Sequence, residues 1–215
     1  MTSSKIIAVI GGTGKSGSFL VKELLHRQLP IRLLLRHPET FPHKASSQIE
    51  LIQGDARDPN AVDRLCPSAQ AVISTLGQPK GEPSIFSQAA KNILHAMGSN
   101  DIRRYIVTTG LNVDTPLDKK SAATQAGTNW MKEHYPVTTA DRQTEYELLC
   151  QSAEKIEWTL VRLPMIGLTQ ESAPVVTSLQ DCPGTGIHAV DLARFLVDRL
   201  QDRSFIRQAP FLANS

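Results

Sequence analysis

Short apolar runs punctuate this chain, separated by stretches in which apolar residues recur every three or four positions. The runs are Ile6–Ile10, Ile31–Leu35, 49–52, Ala69–Ser74, 103–108 and 157–164. Runs of this length, bounded by turn residues, predict strands buried on both faces. Phe19, Leu20, Leu24 and Leu25 share one face of a helix that follows the first run. A short helix is expected over 61–66, and another from Pro83-Ser84 to about Met97, with Ile85, Ala89, Ile93 and Ala96 on one side and Gly98 at its end. Further helices are expected over 141–152 and 187–200. Strands alternating with helices predict a doubly wound parallel α/β sheet with helices on both faces.

The pattern fades between Asn112 and Tyr135, where Asp114, Pro116, Asp118, Lys119 and Lys120 are polar or turn-forming and Trp130, Met131 and Tyr135 make a small apolar cluster. A helix-containing lid is the expectation there. Residues 174–179 read as a strand of a small lobe and 209–212 as a final edge strand. The chain, 1–215, is thus expected to be one domain, with a substrate-side lobe built from about 112–140 and 165–187.

The first strand runs into Gly11-Gly12-Thr13-Gly14-Lys15-Ser16-Gly17, and a helix follows. Strand, glycine turn and helix in that order form the context of a dinucleotide site, where backbone N–H groups and the helix dipole stabilise a pyrophosphate. The spacing here is G-x-x-G-x-x-G rather than G-x-G-x-x-G. A Walker phosphate loop is excluded, because too few residues separate Gly11 from Gly14-Lys15.

The end of the second strand decides which dinucleotide. About twenty residues past the glycines, an acid would hold the ribose 2′-OH of NAD. Here Arg36 stands, with His37 beside it. A guanidinium can pair with a 2′-phosphate, so the expected cofactor is NADP(H). The alternative is a guanidinium at a strand end that merely faces solvent. Asp55, past the third strand, is a candidate acceptor for the adenine amino group, beside Ala56. Asp58 before Pro59 suits a helix cap. Thr75 and Gly77 are small enough for a cofactor to lie close to the chain.

Composition narrows the partners. The net charge is +2 and no Lys/Arg run reaches five, so neither a nucleic-acid surface nor a membrane surface is expected. No apolar run approaches a membrane span. Cys66, Cys150 and Cys182 are widely separated, have no metal-ligand spacing and suit a reducing, cytoplasmic setting. No metal is expected. Met1 to Lys5 lead straight into the first strand without the apolar region of a signal peptide.

Taken together, Gly11 to Gly17, Leu35-Arg36, Gly54-Asp55, Val161-Arg162-Leu163-Pro164 and Ile187-His188-Ala189-Val190-Asp191-Leu192-Ala193 resemble the atypical short-chain dehydrogenase/reductases. The likeness covers nearly the whole chain. It is greatest to small NAD(P)H-binding members such as the biliverdin-IXβ/flavin reductases and the nitrogen-metabolite-repression type regulators. The resemblance implies a Rossmann-type fold with a small C-terminal substrate lobe. It implies that Gly11, Thr13, Gly14, Lys15 and Ser16 hold the pyrophosphate and that Arg36 meets the 2′-phosphate. Asp55 and Ala56 would flank the adenine, and Thr75, Leu76 and Gly77 the adenosine side. Thr108 and Thr109 would approach the nicotinamide ribose, and Pro164, Met165 and Ile166 would border the nicotinamide ring.

The sequence also departs from that family. Most members of the wider superfamily carry Tyr-x-x-x-Lys, whose tyrosine moves a proton. Four residues beyond Tyr105, Tyr135 and Tyr146 stand Thr109, Thr139 and Cys150. The corresponding slot reads Thr138-x-x-x-Arg142, and an arginine is a poor acid although it could hold a ribose hydroxyl. Gly110 and Met165 stand where the biliverdin/flavin reductase type has Ser and His. Thr109, Tyr135 and Arg142 remain as candidate catalytic groups, with His134 and His188 as further candidate proton donors whose bland reading is structural.

Two functions follow as expectations. One is an NADPH-dependent reductase passing hydride to an electron-poor small molecule such as a flavin or quinone, the proton coming from water. The other is a non-catalytic NADP(H) sensor acting through a protein partner. A sugar-nucleotide epimerase with retained NAD fits poorly, because it needs the missing tyrosine–lysine pair.

Overall fold

A computed structural model describes residues 6–42 and 46–215 of the chain. The expectation about residues 1–5 therefore lies outside the described residues. Four strands come first: β1 (Ile6–Ile10), β2 (Ile31–Leu35), β3 (Ile49–Gln53) and β4 (Ala69–Ser74). They are linked by α1 (Gly17–His26), a short 3-10 turn at Pro38–Thr40, and α2 (Pro59–Leu65). Then follow α3 (Phe86–Ser99), β5 (Arg104–Gly110), α4 (Ala122–His134), α5 (Pro136–Gln151) and β6 (Glu157–Leu163). The chain finishes with β7 (Met165–Gly167), β8 (Val175–Ser178), β9 (Gly186–His188), α6 (Ala189–Asp198) and β10 (Phe211–Asn214).

Eight strands form one sheet in the order β3-β2-β1-β4-β5-β6-β10-β8, and β7 and β9 pair separately. The first seven in that order run parallel, and β8 runs antiparallel to β10. The expected doubly wound sheet is therefore what forms. Its inner runs are buried on both faces because successive side chains point to opposite sides, whereas β3, expected to be buried likewise, lies at the sheet's edge and is half-exposed. Ile7 and Val9 pack with Leu20, Val21 and Leu24 of α1 and with Leu192 and Leu196 of α6. Ala8 and Ile10 pack on the other face with α2 and α3 residues, including Val62, Phe86 and Ile93.

Three expectations are corrected here. Residues 175–178 do not belong to a separate lobe; they are the edge strand of the main sheet, paired with β10. Nor is the last strand an edge. β10 fills the gap between β6 and β8, with Phe211 beside Arg162 on one side and Ser178 on the other. The final helix begins at Ala189, because Gly186–His188 is drawn into pairing with Met165–Gly167. Single-strand periodicity carries no information about which strand will lie alongside, so partner and position escaped the sequence. The weakly patterned stretch does contain a helix, α4, whose buried residues are only Thr124 and Thr128.

Candidate functional site: a dinucleotide cleft at the sheet's switch point

The chain leaves β1 toward β2 and β3, then returns to build β4, β5 and β6 on β1's other side. In an open α/β sheet, ligands bind beyond the strand carboxyl ends where the order reverses. That point lies between β1 and β4, and a cleft of about 480 Å³ opens there. It is lined by Ile10, Gly11 and Thr13 to Ser16, by the ends of β2 and β3, by Thr75 to Pro79, and by Ile85, Ile166 and Leu168.

The glycine turn forms the floor. Gly11 has φ +80°, and a Cβ there would meet the Thr75 carbonyl and the Leu76 nitrogen at 2.7 Å. The turn closes by a hydrogen bond from the Gly14 N–H to the Gly11 oxygen, 3.0 Å. A Cβ on Gly17 would collide with that same Gly11 oxygen, so α1 starts against the turn only because no side chain intervenes. Ser16 occupies the α1 N-cap and makes no side-chain cap hydrogen bond. The N–H groups of Ser18 and Phe19 donate to the carbonyls of Gly14 and Ser16, so the part of this terminus that lines the cleft is the turn itself, Thr13 to Ser16, with Thr13, Gly14 and Lys15 exposed. A glycine turn running into a helix N-terminus is the setting in which a pyrophosphate is held.

Arg36, Asp55 and Ala56 stand together at the other end. Arg36 Nη1 donates to Glu82 Oε1 at 2.6 Å. Asp55 is already engaged: Arg57 donates to it from the backbone N–H at 2.8 Å, from Nε at 3.0 Å and from Nη2 at 2.7 Å. Those bonds from Arg57 outweigh the cost of burial and hold the Asp55 carboxyl below its ordinary value. Arg57 Nη2 also donates to Glu82 Oε2, at 2.5 Å. The Ala56 carbonyl accepts from buried Asn92, 2.9 Å. Arg57, Glu82, Gln78 and Pro79 were missed by sequence reading. The available signal was the Pro79-Lys80-Gly81 turn, which reverses the chain and returns Glu82 toward β2 and β3.

Thr75, Leu76, Gly77 and Ile166 line the cleft, whereas Thr108, Thr109, Pro164 and Met165 do not. Thr108 and Thr109 are buried at the end of β5, and the Thr109 hydroxyl has no hydrogen-bond partner among the described residues. Met165 is largely exposed.

The candidate proton-transfer groups are dispersed. Tyr135 ends α4 half-exposed and packs edge-on against Trp130 with ring centroids 5.7 Å apart. Tyr105 is fully buried in the core, where burial pushes its phenol far up. Tyr146 packs edge-on against Trp158, and burial, reinforced by Cys150, pushes it up to about 12. His134 stacks on Trp130, and His188 occupies the N-cap of α6, 3.6 Å from Asp191. None of these groups lines the cleft.

Arg142 requires correction as a ribose or catalytic group. Its guanidinium lies 3.3 Å from the Phe86 ring centroid and donates to the carbonyls of Thr108, 3.0 Å, and Leu76, 2.8 Å. It also pairs with buried Glu145 at 2.7 Å. Both Nη groups are engaged in tying the ends of β4 and β5 to α5. Arg142 is a clamp beneath the cleft rather than a group within it.

Among the described residues, no three His, Cys, Asp or Glu side chains are grouped to hold a metal ion. Cys66, Cys150 and Cys182 are all free, and burial pushes Cys66 up to about 11. No helix of the described residues is long and apolar enough to cross a membrane.

A doubly wound sheet with a glycine turn leading into a helix at its switch point is the architecture of a dinucleotide-binding protein. The chain belongs to the NAD(P)H-binding family, whose match spans residues 11–203. It is 28% identical over 131 residues to a ceramide reductase of Caulobacter vibrioides, a stretch covering 57% of this chain and 40% of that protein. The chain thus matches less than half the length of this relative. Among solved structures, it is similar to ChuY, an anaerobilin reductase from Escherichia coli O157:H7. That likeness has TM-score 0.79 and 18% identity, covering 98% of this chain and 97% of ChuY. It is also similar to a short-chain dehydrogenase/reductase from Veillonella parvula DSM 2008 solved with NADP. There the TM-score is 0.78 at 16% identity, over 98% of this chain and 94% of that one. These two likenesses show the fold.

Proposed function

We propose that this protein is an NADPH-dependent reductase that delivers hydride to an electron-poor acceptor of the flavin or quinone class. The observation that carries the reading is the division of the cleft: a complete phosphate and adenosine end, with Arg36 at its rim, and no tyrosine at the other end. Gly11, Thr13, Gly14, Lys15 and Ser16 would hold the pyrophosphate on the α1 N-terminus, and Arg36 the 2′-phosphate. When bound, the nicotinamide supplies the hydride chemistry. The chain itself contributes orientation, through the Gly11 cradle and the Thr75 to Gly77 wall, and an apolar rim from Ile166 and Leu168. An acceptor whose reduced form takes its proton from water needs no side-chain acid, which suits a cleft without one. The reductase names of ChuY and of the Caulobacter protein support the same class of chemistry.

The test is a screen of NADPH oxidation against flavins, quinones, linear tetrapyrroles and small carbonyls. Turnover with a flavin or quinone supports the reading; turnover confined to carbonyl substrates overturns it. Arg36→Gln should weaken NADPH binding about tenfold or more, the loss expected for a charge-assisted hydrogen bond, and leave NADH unchanged. Equal losses for both cofactors would remove the 2′-phosphate role.

A second reading, an NADP(H)-binding sensor acting through a protein partner, has one observation in its favour. Trp130, Tyr135 and Val137 are 50%, 52% and 70% exposed where α4 meets α5, away from the cleft. Exposed aromatic residues of this kind suit a protein contact. Tight NADPH binding without turnover across the screen would favour it.

A further inference from the structure

Four charged side chains from three connections meet where Arg36 and Asp55 line the cleft, with Arg57 and Glu82 paired to them just outside its lining. Arg36 follows β2, Asp55 and Arg57 follow β3, and Glu82 follows β4. One carboxylate bridges two guanidiniums: Glu82 Oε1 takes Arg36 Nη1 at 2.6 Å and Oε2 takes Arg57 Nη2 at 2.5 Å. The loop that carries Glu82 is fixed independently of its side chain. Glu82 N–H donates to the Pro79 carbonyl at 3.3 Å across a turn in which Gly81 has φ +76°. Gln78 Nε2 donates to the carbonyls of Pro79, Glu82 and Pro83. The two arginines hold the Glu82 carboxyl below its ordinary value.

An anion whose separate oxygens each accept from a different arginine is the arrangement that a phosphate monoester would adopt at the same place. Without a shared anion, two cationic groups this close would repel each other. Arg57 retains Asp55 as a second partner if Glu82 leaves, so its guanidinium keeps its position. The Glu82 side chain is one-third exposed and can turn to solvent while its backbone stays tied.

We propose that Arg36 and Arg57 together form the 2′-phosphate site, and that Glu82 is its built-in competitor, occupying the site until the phosphate displaces it. The preference for NADPH over NADH is then set by two arginines against one glutamate. This rests on the NADPH reading above, and it adds Arg57 and Glu82 as specificity-determining residues.

The full-length protein is titrated calorimetrically with 2′,5′-ADP and with 5′-ADP, which differ only in the 2′-phosphate. Glu82→Gln should tighten 2′,5′-ADP about three- to tenfold and leave 5′-ADP unchanged. Arg57→Gln should weaken 2′,5′-ADP about tenfold more than it weakens 5′-ADP. Unchanged or weaker 2′,5′-ADP binding in Glu82→Gln overturns the proposal. So does weaker 5′-ADP binding, which would make Glu82 an acceptor for a ribose hydroxyl. If Arg57→Gln fails to fold, Glu82→Gln alone decides. Arg36→Gln separates the two readings. If it leaves the ratio of the two ligands unchanged, the NADPH reading fails. If it lowers the ratio while Glu82→Gln and Arg57→Gln do not move it, only the competitor proposal fails.

Discussion

Gly17 and Arg142 constrain the site from above and below. Gly17→Ala places a methyl group against the Gly11 carbonyl oxygen, an atom of the phosphate cradle that cannot withdraw without opening the Gly14 hydrogen bond. The expected cost is about 1–3 kcal/mol, as for other overpacked positions, together with loss of 5′-ADP binding. Urea midpoints and calorimetry check the two effects. Arg142→Met leaves Glu145 buried and unpaired, and should cost about 3–5 kcal/mol. Arg142→Met with Glu145→Leu should recover much of that loss in the same denaturation assay. If the double variant is no better than the single, the ion pair is not what makes Arg142 indispensable. At this scale the cradle was legible, because glycine has few reasons to recur in such a pattern. The task of Arg142 was not: its acceptors are backbone carbonyls of Leu76 and Thr108, far away in sequence and without a side-chain signature. Asp55 shows the same limit, since its engagement depends on how Arg57 turns back on it.

Helix α3 begins with a cap that its own sequence does not supply. Its N-cap residue is Ile85, and Asp141 of α5 reaches across to accept from the Ser84 hydroxyl at 2.6 Å and from the N–H groups of Phe86, 2.7 Å, and Ser87, 3.2 Å. Sequence reading began this helix at Pro83-Ser84 and began α5 at Asp141; in fact Asp141 lies one turn inside α5 and serves its neighbour. Burial opposes ionisation of Asp141, but the donors from Ser84, Ser87 and Phe86 outweigh it and hold the carboxyl below its ordinary value. The unfolded chain therefore takes up this proton first as pH falls. The contribution is whole above about pH 4 and is lost as pH drops through the lower folded value. Asp141→Asn should lower the urea midpoint at neutral pH, and its midpoint should fall less steeply than the wild type's between neutral pH and about pH 3. Asp141→Ala should cost about 1–2 kcal/mol, as lost caps do. Strand positions were far easier to foresee than these tertiary caps, because a strand buried on both faces is written as a continuous apolar run.

At the scale of the whole molecule, the cleft draws on the ends of four neighbouring strands and on Ile166 and Leu168 from beyond β6. A ligand there ties these four strands to β7 and stabilises the fold by mass action. NADPH at one hundred times its dissociation constant should add about 2.7 kcal/mol, seen as a raised melting temperature. In Arg36→Gln the same NADPH concentration should give a smaller rise. The sheet's left half, β3 to β4, followed from the sequence because its connections are short and regular. In its right half β5 and β6 followed too, but the places of β10 and β8 did not, since the second partner of β6 arrives only after β7, β8, β9 and α6 have been laid down.

That late arrival bears on how the protein is made. Strand β10 is the last of the eight to leave the ribosome, yet it takes an interior place between β6 and β8. Until it emerges, Arg162 lacks the Ala209 carbonyl that its Nε donates to and the Phe211 ring on which it stacks. The growing polypeptide thus carries a finished left half beside an open parallel edge, the kind of edge that recruits stray strands. Released chains that stop shortly before Gln208 should associate or require a chaperone, whereas released chains that include Asn214 should not.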